Sequence, residues 1–179
     1  MAASNGAGPG RTGKATELDA CRLLAELTGY PAERAIGEGR KGDRGDLHGL
    51  PRTCVQVSRC GAAPAEAWAR ARAKAAACQT QQGRARADYG VTLLRVRTGP
   101  WRAVLTAAQW DDIAVHGIHT ATHFEFTGSW LTAGEVLLYA PEFRRAEVIH
   151  TGAGVYFATV ERWAELWLAA IDRDAAVPA

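Results

Sequence analysis

At 179 residues, with 47% apolar and 22% charged residues, the chain has the size and composition of one globular domain or of a domain with an appendage. It holds no apolar run of the length (about 18 residues) that a membrane span requires, and its opening, MAASNGAGPGRTGK, lacks the apolar centre of a secretory signal. The net charge of +2 conceals an asymmetry: residues 1–100 carry 16 Lys and Arg against 9 Asp and Glu, and residues 101–179 carry 5 against 10.

A basic first half is the electrostatic footprint expected of a polyanion binder, and 18 of the 21 basic residues are arginine, which suits bidentate phosphate contacts. A GC-rich coding sequence, which enriches Arg and Ala together, accounts for the same bias. Cys21, Cys54, Cys60 and Cys78 follow no paired C-x-x-C spacing. They are expected to be reduced core thiols of a cytoplasmic protein rather than disulfides or zinc ligands.

Residues 1–13 read as a flexible tail. Thr16–Thr28 then places Leu18, Cys21, Leu24, Ala25 and Leu27 at helical spacing, with Gly29 as a stop. A Gly-rich charged stretch, 37–46, precedes a strand at Thr53–Arg59. Ala65–Gln82, Ala-rich and free of Gly and Pro, predicts a long helix. Tyr89–Arg97 and Trp101–Leu105 read as partner strands around the Gly99-Pro100 turn, and Thr106 as the cap of a short helix, Ala107–Val115.

The remainder repeats this pattern. Strands are expected at Val136–Tyr139, Ala146–His150 and Val155–Thr159, with Thr159 capping a helix that aligns Trp163, Leu166, Trp167, Ala170 and Ile171. The chain is therefore read as α/β, with residues 14–116 forming a core and residues 117–179 an acidic, Trp-rich α+β extension that packs either separately or against that core. A Trp stripe at helical spacing marks a core face more often than an interface.

Chemistry concentrates in 42–59, GDRGDLHGLPRTCVQVSR. Asp46 precedes a Gly-Leu-Pro turn and an alternating strand in which Val55 and Val57 share one face and Gln56 and Ser58 the other. Together with Glu17 on the first helix, the phrase AERAIGEGRKGDRGDLHGLPRTCVQVSR, a helix near Trp68 and GVTLLRVRTGPWRAVL, this segment resembles the PD-(D/E)xK nuclease superfamily. More narrowly, it is similar to the Holliday-junction-resolvase-like endonucleases of phages infecting high-GC bacteria.

The resemblance covers about half the chain, Glu17 to Val96. It implies a restriction-endonuclease-like core, a mixed central sheet flanked by helices. It also implies Mg2+- or Mn2+-dependent hydrolysis of phosphodiester bonds in branched DNA, carried out by a homodimer in the host cytoplasm. The family's metal ligands fall on Glu17, Asp46 and Gln56, and its catalytic lysine on Ser58. A hard divalent ion wants oxygen ligands, polarises the scissile phosphate and lowers the pKa of the attacking water.

Gln56 and Ser58 depart from the family's acid and lysine, so the lost cation would have to come from Lys74 on the next helix, or from Arg59 or Lys41. Arg59 is expected to face away from Ser58. Asp43 is read as a loop charge. Arg34, Arg44, Arg70 and Lys74 are the candidates for DNA contact, Arg70 and Lys74 sharing one helix face four residues apart. Gln79 and Gln82 are read as DNA contacts or as an exposed polar helix end.

A second cluster, His116, His119 and His123 with Glu125, has spacing at which zinc can bind but lacks the Glu-x-x-His helix signature of metalloproteases, and is read as structural or incidental. No G-x-S-x-G elbow or P-loop is present. Two functions follow, an endonuclease or a catalytically degenerate nuclease-fold protein that binds DNA or serves in assembly.

Overall fold

The computed structural model describes residues 9–35, 45–61, 63–97, 99–114, 123–125, 148–150 and 154–176. Helix α1 (Pro9–Thr28) leads through two short strands, β1 (Glu33–Arg34) and β2 (Leu47–His48), into the long strand β3 (Thr53–Cys60). Then come α2 (Pro64–Ala85), β4 (Tyr89–Val96), β5 (Trp101–Thr106) and α3 (Ala107–Ala114). The last elements are β6 (His123–Glu125), β7 (Val148–His150), β8 (Val155–Thr159) and α4 (Val160–Ala176). The strands form one mixed sheet in the order β1-β2-β3-β4-β5-β8-β7-β6.

β3 and β4 run parallel because α2 carries the chain back to the same end of the sheet. β5 pairs antiparallel with both β4 and β8, so the acidic extension joins the sheet begun by the basic half. The fold is α/β with helices on both faces. The expected order of helix, Asp-bearing turn, strand, helix, strand is present. No helix among the described residues is long and apolar enough to cross a membrane.

Helix α1 starts earlier than its apolar periodicity suggests. Helix propensity argues against the Pro-Gly-Arg-Thr-Gly run, since each Gly costs about 1 kcal/mol in a helix interior. The chain is nevertheless helical from Pro9, so the expected tail is part of α1 from that residue on. Val136–Tyr139, Trp130, His116 and His119 lie outside the described residues. His123 and Glu125 fall in β6.

Both sheet faces are buried. On one, Val55, Val57, Val91, Leu93, Ala103 and Leu105 meet Ala20, Cys21 and Leu24 of α1, Ile113 of α3 and the Trp163/Trp167 side of α4. On the other, Cys60, Leu94, Val104, Val155 and Phe157 meet Ala67, Trp68, Ala71 and Ala75 of α2. The Ala-rich composition of α2 lets its backbone lie close to the sheet. Trp163 and Trp167 are wholly buried, so the Trp stripe is core, as periodicity suggests. All four cysteines are free and buried.

The two Trp-bearing helices start alike. Thr106 Oγ1 accepts from Gln109 N–H at 3.3 Å, and the Gln109 amide oxygen accepts from Thr106 N–H at 3.1 Å, a reciprocal capping box. Thr159 Oγ1 accepts from Arg162 N–H at 3.1 Å. Gln109 also donates to Gln82 Oε1 at 3.0 Å, and Gln82 donates at 3.0 Å to Asp88 O and to Asp112 Oδ2. Gln82 is thus a buried structural group and not the exposed helix end that the sequence suggests.

This amide pair lies flush on Gly90, where a Cβ would collide with both Gln109 Nε2 and Gln82 Oε1. Gly90→Ala is therefore expected to destabilise the fold by about 1–3 kcal/mol, an overpacking cost measurable by denaturant unfolding.

A polar latch joins the start of β4 to the end of α4. The Tyr89 hydroxyl donates to Asp174 Oδ2 at 2.6 Å, Arg52 reaches Asp174 at 3.1 Å and also pairs with Asp88, and the Arg52 guanidinium lies over the Tyr89 ring. Burial first, then the hydrogen bond to Asp174, push the Tyr89 pKa from its ordinary 10.0 up to about 12. The hydrogen bond from Tyr89, followed by Arg52 and Arg173, holds the Asp174 carboxyl below its usual range.

A phenol harder to ionise in the folded state than in the unfolded one contributes stability that is complete below pH 10.0 and lost as pH rises through about 12. Stability is expected to fall by about 2 kcal/mol across that interval, and Tyr89→Phe to remove most of this alkaline dependence in unfolding curves recorded at both ends.

Candidate functional site

The site expected around Asp46 is divided by the sheet. Gly45, at φ 103°, turns the chain so that Asp46 lies beside β3. Asp46 N–H donates to Val55 O at 2.7 Å, and Asp46 Oδ2 accepts from Val57 N–H at 2.7 Å. The carboxylate therefore lies along the strand edge, taking the place of a backbone carbonyl, and secures β3. The alternation of β3 is present, but α2 covers the face that carries Gln56 and Ser58, and both are buried, at 4% and 6% exposure. Gln56 donates its amide to Gln81 of α2. Glu17, on α1, is on the opposite side of the sheet and is ion-paired with Arg34 of β1.

The donors expected to hold Mg2+ do not fit that ion. One carboxylate is occupied by a guanidinium and the other accepts from a backbone amide, while the third position is a neutral side chain bonded to another glutamine. A divalent ion of this type needs several oxygens free to converge on it. Among the described residues, no group of three or more His, Cys, Asp or Glu is placed to bind a metal.

The structure brings together a different set. A cleft of about 660 Å³ opens at the C-terminal end of β3, between α1 and α2, and its walls include Thr16, Glu17, Ser58, Arg59, Arg70 and Lys74. Four of the expected site residues, Glu17, Ser58, Arg70 and Lys74, thus share one concavity, and Asp46 and Gln56 are not among its lining residues. Arg34 is tied to the cleft through Glu17. Arg44 lies outside the described residues.

Arg59, expected to turn away from Ser58, lines the cleft as well. Strand alternation puts it on the face away from Ser58, and it is exposed while Ser58 and Cys60 are buried. Because β3 ends at Cys60 and Gly61 follows, the cleft wraps round the strand end and takes side chains from both faces. That end position was the available signal. Gly13 of α1 borders the cleft too, where a Cβ would meet nothing within 4 Å.

The electrostatics are one-sided. Among the described residues three cations line the cleft against one carboxylate, which is already paired with Arg34. Arg70 also approaches Glu66 one helical turn away at 3.8 Å, with both side chains about half exposed, a surface pair that contributes little. Burial, reinforced by Glu66, raises the Cys60 thiol above its ordinary range, so this wall residue is a neutral thiol rather than a nucleophile. The arrangement can neutralise and hold phosphate oxygens, and its described residues supply neither a metal cage nor a nucleophile–base pair.

Comparison with protein-family models, with curated proteins and with solved structures yields no match.

Proposed function

We propose that the chain is a DNA-binding protein of nuclease-like fold that grips the phosphate backbone in the cleft between α1 and α2 and does not cut it. The observation that carries this is the excess, among the described lining residues of one open cleft, of Arg59, Arg70 and Lys74 over a single, internally paired carboxylate. The order of helix, Asp-bearing turn, buried strand, helix and parallel strand supports the restriction-endonuclease-like core. The departures at Gln56 and Ser58, the first bonded to Gln81 and both under α2, favour the degenerate form of that core over an active one.

The endonuclease reading, with Mg2+ or Mn2+ and a homodimer on branched DNA, draws its support from the shared location of Glu17, Ser58 and Lys74. The two readings separate in one experiment. Purified protein is incubated with a labelled four-way junction and with linear duplex, in chelator, in Mg2+ and in Mn2+. Salt-sensitive binding with intact DNA in all three is the expected result. Cutting that needs metal and vanishes in Asp46→Ala establishes the enzyme instead.

With three phosphates neutralised, the logarithm of duplex affinity should fall against the logarithm of salt with a slope of about −2.7.

A further inference from the structure

We infer that Arg34 is a built-in counter-ion for the cleft, neutralising Glu17 from behind so that phosphate groups enter without a divalent cation. This rests on the cleft being a phosphate-binding surface and adds how its negative charge is handled.

Glu17 is the sole carboxylate among the cleft's described lining residues. It accepts from Arg34 Nε, and the two side chains are 24% and 27% exposed, so the pair is largely shielded from water. Arg34 is not a lining residue. Its backbone is fixed in β1 in register with Leu47, and the neighbouring Ala35 N–H donates to Asp46 O at 3.0 Å. The guanidinium is thus held on the sheet edge with its charge delivered to the cleft's carboxylate.

An unpaired carboxylate in this place would repel an incoming phosphate through a poorly screened medium. A metal ion could cancel that charge only by being captured from solution. A guanidinium is always charged and covalently present, and its planar donors suit a carboxylate. The described residues of the cleft therefore present three cations with no net opposing charge.

The test uses the full chain and two probes, inorganic pyrophosphate by calorimetry and a labelled duplex by anisotropy, both at fixed ionic strength. Chelator should leave the wild-type affinities unchanged. Arg34→Gln, which uncovers Glu17, should weaken both probes by about tenfold. Adding Glu17→Gln should restore them to about wild type, because the pair is neutral with or without its two charges.

A double variant that is folded by circular dichroism but stays weak overturns the inference, since Arg34 would then be a binding cation in its own right. An Arg34→Gln protein that binds like wild type overturns it too. Should Arg34→Gln fail to fold, the double variant, which buries no unpaired charge, still decides: wild-type affinity supports the inference and a loss refutes it. If pyrophosphate shows the full pattern while wild type ignores duplex, the counter-ion stands and the DNA-binding proposal falls.

Discussion

Trp167→Ala is expected to lower the stability of the fold by about 3–5 kcal/mol, read as a fall in denaturant midpoint with little change in slope. Trp167 is wholly buried; its ring stacks on Trp163 at 5.7 Å and receives Tyr30 edge-on at 5.4 Å. Its Nε1–H donates to Thr53 Oγ1 at 2.8 Å, and the Thr53 hydroxyl in turn donates to Pro51 O at 2.7 Å. One indole therefore joins α4, the segment after α1 and the first residue of β3.

Trp167→Phe keeps much of the packing but removes the donor, and should cost about 1–2 kcal/mol more than the same change at Trp163. The contrast is physical: the Trp163 Nε1 is buried with no hydrogen-bond partner among the described residues, so phenylalanine there loses none of the described hydrogen bonds. A Trp167→Ala protein within about 1 kcal/mol of wild type would show that α4 merely rests on the core.

The largest functional effect should come from the charge-reversed pair Arg70→Glu/Lys74→Glu. These residues lie four apart on α2 and both line the cleft, so reversal replaces two phosphate contacts with two repulsions. Duplex binding should become undetectable at physiological salt. The single alanine variants, with Arg59→Ala, should each reduce the steepness of the salt dependence by about 0.9. Arg84→Ala supplies the control, being an exposed cation near the far end of the same helix and not among the cleft's lining residues.

Arg70→Ala should leave unfolding almost unchanged, because the Glu66 pair it breaks is solvent-screened. Equal losses in affinity at Arg70 and at Arg84 would remove the cleft from the account and leave only a diffuse basic surface.

Sequence periodicity fared well where local physics decides. Ala-rich composition marked α2 and apolar spacing marked α4, and Thr106 and Thr159 announced helix starts because a cap acts within one turn. The alternation of β3 was legible, but its meaning was not. A polar pair facing a site and a polar pair lying under a helix have the same spelling, and only the meeting of Gln56 with Gln81 distinguishes them.

Asp46 stood out in the sequence as a carboxylate in a turn, yet its bond to Val57 N–H depends on how that turn lies along the neighbouring strand. The Glu17–Arg34 pair spans 17 residues and two elements, so no local spacing encodes it. It took the docking of α1 against β1 to show that the expected metal ligand is already spoken for.

The bond between Trp167 and Thr53 links residues 114 positions apart. On a ribosome adding about 5–20 residues per second, Thr53 waits on the order of ten seconds for its partner. Within that interval, from the completion of β5 at Thr106 until Val155 is added, β5 lacks β8, the strand that covers its outer edge in the finished sheet. The nascent chain thus presents an open strand edge and an unfilled tryptophan socket together, a state prone to pairing with its neighbours. An edge that closes only when β8 arrives is the liability this topology carries through synthesis.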